Sequence, residues 1–533
     1  MIAAPVKKRN LIIRPEVYND CADASLKKSF QAIMGYVSIF SENLAAAQNL
    51  MARGGFREAF AKVVDVPISR PDELFSKIAL MADSGIALRD ASILEYGLYL
   101  MEHHSRDILT IPSYSPYLWF NIANLRSNLL SVRESEGARR CWYERRLTAP
   151  AREAYSRALD RAEGNKTLKT RILNAHARLL VGIGRDWEAF GLFNMATRLD
   201  SNNQDGNLGR AETLAALAGT APALETELLK EAYENLNSVD YSGDDSSLGE
   251  SIRNLKSQLE GRLGSDTREV ECTYPRNTIV TSSDQEHSMI VFSLNNQLYL
   301  TPCASCRKCD RAVGDAASLG ARHALVGGKA VGRYRKTVIL IGRIIERYRA
   351  LRAALVNHVR KTELKDGSDF QRHFPELDDW QPIQPSTTVL VMALAGSCAM
   401  LEEMASCVAL FLDREFSGSS GIREILGSSS IPGSDLVNEE NPALHGFWDL
   451  WADGMEGFID GVELLRLTGK SPTSPELERI SLDSEELATK ALGLLGWFRN
   501  LIGYLIRMAD REARDEVEEP SLWPLQAFAL PGE

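Results

Sequence analysis

The sequence predicts an all-α fold in which an N-terminal array of paired helices precedes a C-terminal helical bundle, with a small β-hairpin between them. Three observations carry that expectation. From about Ser25 to Asp240 apolar residues recur at three and four, with short Gly, Asp or Pro breaks. Strand-like alternation is confined to two short runs near residues 277–300. After residue 331 long helical patterns return, separated by Ser/Gly/Pro-rich connections.

A chain of 533 residues exceeds one ordinary core, and at roughly 100–200 residues per domain it divides into about three units. The expected boundaries are an extension over 1–24, helical repeats over 25–245, a connecting segment over 246–330 and the bundle over 331–533. With 44% hydrophobic and 25% charged residues, the composition is that of a chain that buries a core. A formal charge of −11 argues against coating nucleic acid along the whole surface, because such binding needs many phosphate-facing cations. The opening "MIAAPVKKRNLIIRPEV" lacks the apolar run of a secretory signal. The longest apolar stretch, "VLVMALAGSCAM" at Val389–Met400, runs into Glu402 and Glu403 and reads as a core helix rather than a membrane span. Eight irregularly spaced cysteines read as reduced thiols. The cytoplasm is the expected location.

Within the array the most informative window is "TRILNAHARLLVGIGRDWEAFGLFNMATRLDSNN", Thr170–Asn203. Read as a 34-residue helix-turn-helix unit, it puts Ala177, Ala189 and Ala196 where helices approach closely, Leu180 and Phe193 in the groove, and Gly184 in the turn. This resembles a tetratricopeptide repeat, with Ser201 standing where the repeat usually has Pro. A second copy opens at "PYLWFNIANL" with Trp119 and Ala123. It resumes at "APAREAYSRALDRA" with Ala151, Tyr155 and Ala158, after an unusual insert containing "RESEGARRCWYERR". "GGFREAFAKV" at Gly54–Val63 resembles an earlier, degenerate copy. The resemblance implies a partner protein or peptide held on the surface of the array. The Ser/Asp/Gly-rich "NSVDYSGDDSSLGES", Asn237–Ser251, reads as its closing loop, and a helix over Leu248–Arg262 is expected next.

In the connecting segment, "NTIVTSS" and "SMIVFSLNNQLYL" read as the two strands of the hairpin. "CASCRKCDR" follows, with Cys303, Cys306 and Cys309. Sulfurs three residues apart on a turn can share one soft metal such as zinc, given a fourth ligand from Cys272, His287 or His323; free or redox-active thiols are the alternative.

The helix expected over Arg333–Lys361 carries Ile339, Ile341, Ile344, Ile345 and Leu351 on an apolar face. Its other face bears seven Arg and two Lys against Glu346. That face is either solvated or a phosphate-binding surface. Further helices are expected over Thr387–Phe416, Pro442–Leu467 and Ser484–Val517. The last contains "WFRNLIGY", in which Leu495, Phe498, Ile502 and Leu505 make a buried stripe with Arg499 at its edge and Asn500 and Tyr504 on the polar side.

The order of helical repeats, "FSLNNQLYL", "GSCAMLEEMASCVALFLDREF" and "KALGLLGWFRNLIGYLIRMADREAR" resembles a bacterial family that joins tetratricopeptide repeats to a HEPN domain (higher eukaryotes and prokaryotes nucleotide-binding). The resemblance implies a dimeric or larger helical assembly, and in many members a ribonuclease of toxin–antitoxin or phage-defence systems that requires no cofactor. Its signature is an Arg, often followed by a polar residue, with His after four to six intervening residues. Arginine stabilises charge developing on phosphate while histidine transfers protons. Arg499 and Asn500 match the opening, but Tyr504 stands where the shortest version has His. These three residues are therefore either a helix flank or a phosphate-binding or degenerate catalytic remnant. The full spacing occurs at Arg352–His358, "RAALVNH", read either as a catalytic pair or as a satisfied surface or interface histidine. Two functions remain open: an RNA-cleaving effector whose repeats sense a partner, and a non-catalytic interaction scaffold with a degenerate site. A thiol or zinc switch at the cysteine turn is a third.

Overall fold

A computed structural model describes residues 42–135 except 69, 145–239, 247–264, 284–305, 314–319, 331–363, most of 396–411, 441–457 and 484–516. Every described regular element is helical, and no strand occurs among these residues. No helix among them is long and apolar enough to cross a membrane. The chain divides into two compact units, one running to Leu179 and one from Leu180 to Gln526. The division falls inside the predicted Thr170–Asn203 unit.

After helical residues 42–51, the first unit continues with α1 (Phe56–Val63), α2 (Pro71–Leu88) and α3 (Ala91–His103). Helix α2 starts at Pro71, whose fixed φ suits a first helical turn, and Glu73 accepts the amide of Arg70 at 3.2 Å. The Asp90 carboxylate caps α3 by accepting from Ser92 N at 3.0 Å. Buried Lys77 donates to the carbonyls of Val64 at 2.5 Å and Val66 at 3.0 Å, satisfying groups that follow the end of α1. After α4 (Ser105–Leu109), the helices α5 (Ser115–Ser135) and α6 (Arg145–Arg161) pack together, and α5 also packs on α2 and α3. Ala123, Ala151, Tyr155 and Ala158 are all buried. Tyr155 donates to Asn124 at 2.8 Å and stacks on His176 of α7 (Lys166–Gly182).

The second unit begins at Leu180, in the last turn of α7. Helices α8 (Asp186–Leu199), α9 (Gln204–Leu217), α10 (Glu225–Asn237) and α11 (Ser247–Leu263) pack in sequence, α8 on α9, α9 on α10 and α10 on α11. Phe193 lies over Gly209, where a Cβ would approach its ring to 2.2 Å. Then come α12 (Asp284–Asn295), α13 (Val331–Glu363), helical residues within 396–411, α14 (Pro442–Gly457) and α15 (Ser484–Glu516). Helix α15 packs on α13 and α14 and also touches α8. From Leu494 to Asp510 it is buried on nearly every side, which makes it the axis of the unit.

Two expectations are corrected. The run "SMIVFSLN" is not the second hairpin strand: it lies in α12, with Leu294 buried and Met289, Ile290 and Phe292 packed against the core. A contiguous apolar run fits a buried strand or a buried helix equally well, and here packing against α13 selects the helix. The other run, "NTIVTSS", lies outside the described residues. Ile339 is not on the buried face of α13 but is 49% exposed, because the face that packs is set by Ile341, Ile344, Ile345 and Tyr348.

Candidate functional site

Helix α15 and the turn before α8 bring "WFRNLIGY" and "GRDWEAF" together. Gly184 has φ +82° and makes that turn. A Cβ at Gly184 would stand 2.0 Å from the Pro442 carbonyl oxygen, and one at Gly446 2.2 Å from the Gly184 carbonyl oxygen. Backbone thus lies directly on backbone where α14 begins. On the other side of the turn the Trp187 indole covers Gly503 of α15, leaving 2.3 Å for any Cβ there.

This close approach buries a network of charged groups. Arg185, 9% exposed, donates to Glu188 at 2.7 Å, Asp449 at 2.9 Å and Asp453 at 2.5 Å. Burial opposes its charge, but the three carboxylates outweigh burial and hold its pKa above the ordinary value. Tyr504 donates its hydroxyl to Glu188, and Arg507 pairs with Asp186. Burial and then Glu188 push the Tyr504 pKa well above its ordinary value. A phenol so placed keeps its proton at neutral pH and is no general base there.

The predicted site residues occupy these positions. Arg499 donates to the Gln297 carbonyl oxygen and to Asn500 Oδ1, the latter at 2.9 Å from Nε. Burial holds the Arg499 pKa below its usual value. Asn500 and Tyr504 are buried, not on a polar face of the helix, because their neighbours fill the space that the local pattern assigns to solvent. Arg352 forms a bidentate pair with Asp315 at 2.5 and 2.9 Å, donates to the Leu298 carbonyl at 3.2 Å, and lies 4.8 Å over the Tyr299 ring. Burial would raise the Asp315 pKa, but Arg352, the Leu300 amide and Arg349 together hold it below the ordinary carboxylate value. Tyr348 donates to the same Leu298 carbonyl at 2.6 Å. Gln297 has φ +53°, so the turn after α12 is clamped by donors from both α13 and α15.

His358 lies six residues beyond Arg352 on α13. At ~100° per residue the two positions stand roughly 120° apart around the axis. The His358 side chain lies outside the described residues. Cys303 is buried against apolar neighbours, whereas Cys306, Cys309, Cys272 and His323 lie outside the described residues. His287 is exposed on α12. Among the described residues no group of three or more His, Cys, Asp or Glu side chains is arranged to hold a metal.

The sequence reading misses Arg185, Asp186, Glu188, Asp449, Asp453 and Arg507. One signal was available: Asp449 and Asp453 stand four apart inside "FWDLWADGM", and carboxylates among so many aromatics imply a buried cation partner. Their partner lies 264 and 268 residues away in sequence, which no local pattern reveals. Compared with known family models, curated proteins and solved structures, the chain finds no match in any of the three.

Proposed function

We propose that the chain is a cytoplasmic, non-catalytic interaction scaffold, assembling as a homodimer or larger homo-oligomer, whose C-terminal helices carry a degenerate HEPN-like site. The observation that supports this reading is the engagement of Arg352, Arg499, Asn500 and Tyr504 in bonds that hold the fold together. A catalytic arginine needs donors aimed at a phosphate and a proton carrier titrating near neutrality. Arg352 is committed to Asp315, and Tyr504 holds its proton. The test is incubation of purified protein with total RNA and tRNA without added metal. The expected result is no cleavage over background by wild type, His358→Ala or Arg499→Ala; cleavage by wild type that His358→Ala abolishes would overturn the reading.

A second reading, an RNA-cleaving effector of a toxin-like or anti-phage system, draws on one observation. Among the described residues Arg499 donates to neutral oxygens, those of Gln297 and Asn500, so no carboxylate in direct contact cancels its charge. The same assay separates the two readings. Neither needs a cofactor, and metal analysis of the purified chain tests zinc at Cys303, Cys306 and Cys309.

A further inference from the structure

Four of the six large apolar side chains exposed among the described residues, Tyr96, Tyr99, Leu109 and Ile111, lie between positions 96 and 111 in the first unit. Tyr99 is the most exposed of the six, at 58%. Its ring stacks between two others on α3: Tyr96 at 6.4 Å with the planes 15° apart, and His103 at 5.7 Å with the planes 21° apart. At ~100° per residue, Tyr96 and His103 stand roughly 40–60° to one side of Tyr99, and Glu95 and Glu102 stand roughly 40–60° to the other. Both glutamates are about half exposed, and each gives Oε1 to an arginine of α5: Glu95 to Arg133 at 2.7 Å and Glu102 to Arg126 at 2.9 Å. Those pairs hold each carboxylate through Oε1 on the side of Tyr99 away from Tyr96 and His103, and no hydrogen bond to Oε2 of either occurs among the described residues.

We propose that this face docks a partner protein through an arginine side chain, whose guanidinium lies on the Tyr99 ring and donates to Oε2 of Glu95 or Glu102. The inference rests on the scaffold reading, for which it supplies the partner's chemistry. Charge complementarity selects the occupant. A stacked, electron-rich surface bordered by two fixed carboxylates attracts a flat cation that both stacks and forks its donors. Each glutamate is already paired with an arginine, so its remaining Oε2 selects by hydrogen bonding: it accepts from a donor and offers none to an acidic segment or to the phosphates of a nucleic-acid strand. Lysine, a compact and strongly hydrated charge, satisfies the carboxylates and stacks poorly.

The test uses the full chain and three synthetic peptides of Gly-Ser repeats carrying Arg, Lys or Glu at every third position, with affinity read by isothermal calorimetry. The Arg peptide is expected to bind saturably, about ten-fold more tightly than the Lys peptide, and the Glu peptide not at all. Tyr99→Ala and Glu95→Gln/Glu102→Gln are each expected to weaken the Arg peptide about ten-fold with helical circular dichroism unchanged, because these side chains are at the surface. Absence of saturable binding, equal binding of the Arg and Glu peptides, or wild-type affinity in Tyr99→Ala overturns the proposal. Assaying RNA cleavage on the same samples separates the two ideas: cleavage by wild type and Tyr99→Ala alike refutes the scaffold reading, while the peptide titration still judges the aromatic face.

Discussion

Replacing Arg185 by Met removes a cation from the centre of four acidic or phenolic groups. Asp453 is 29% exposed and regains water readily; Asp449 is 11% and Glu188 18% exposed, and Glu188 keeps the Tyr504 hydroxyl. Asp449, the least exposed of the three carboxylates, thus loses most when its pair with Arg185 is removed. Breaking a buried pair by removing one partner costs about 3–5 kcal/mol, most of it from the charge left behind. With a denaturant slope of about 3 kcal/mol per molar urea, the transition of the second unit should fall by about 1–2 M. The readout is hydrogen exchange in α8 and α15 across a urea series, which isolates this unit from the first. Adding Asp449→Leu removes the stranded charge and should restore more than half of the loss, since a well-packed apolar replacement of a buried pair is often neutral. A midpoint for Arg185→Met within about 0.3 M of wild type, or a double variant no more stable than the single, would refute the reasoning.

Gly503→Ala introduces a Cβ at 2.3 Å from the Trp187 ring. It should destabilise the second unit by about 1–3 kcal/mol, whereas Gly496→Ala on the same helix, where nothing lies within 4 Å of the added carbon, should be neutral or slightly stabilising; thermal melts of the two variants make the comparison. Burial raises the Asp83 carboxyl to about 6, so the folded first unit holds that proton more tightly than the unfolded chain does at about 3.9. Stability from this group is therefore fully present below pH ~4, falls as pH rises toward ~6, and is flat above that. Asp83→Asn should abolish the slope between those pH values and gain about 3 kcal/mol at pH 8, as read from urea midpoints across pH.

The helical character of the chain is legible because periodicity is a local property. Ala177, Ala189 and Ala196 read as close-approach positions and are buried, and Gly184 reads as a turn and has the positive φ of one. Packing partners are not local. "WFRNLIGY" places Asn500 and Tyr504 opposite its apolar stripe, and local periodicity then assigns them to water. In the folded chain that side of α15 meets the GRDWE turn, so Glu188 receives Tyr504 from 316 residues away. The same limit accounts for "SMIVFSLN", whose contiguous apolar residues suit either kind of buried element until α13 supplies the neighbour. Asp449 was readable as a buried acid from its aromatic flanks, though nothing in the sequence near it names Arg185.

The joining of Glu188 to Tyr504 also sets a schedule for synthesis. A ribosome adding roughly 5–20 residues per second takes about 15–60 s to travel the 316 residues between them. For that interval the Trp187 face and the Arg185 turn have left the exit tunnel and their seat on α15 does not yet exist. The nascent chain must carry an aromatic surface and a cation without their native cover, which makes α8 the segment where a chaperone would engage longest. A release from the ribosome before α15 is made would leave that surface permanently open, and such fragments would be marked for aggregation or proteolysis.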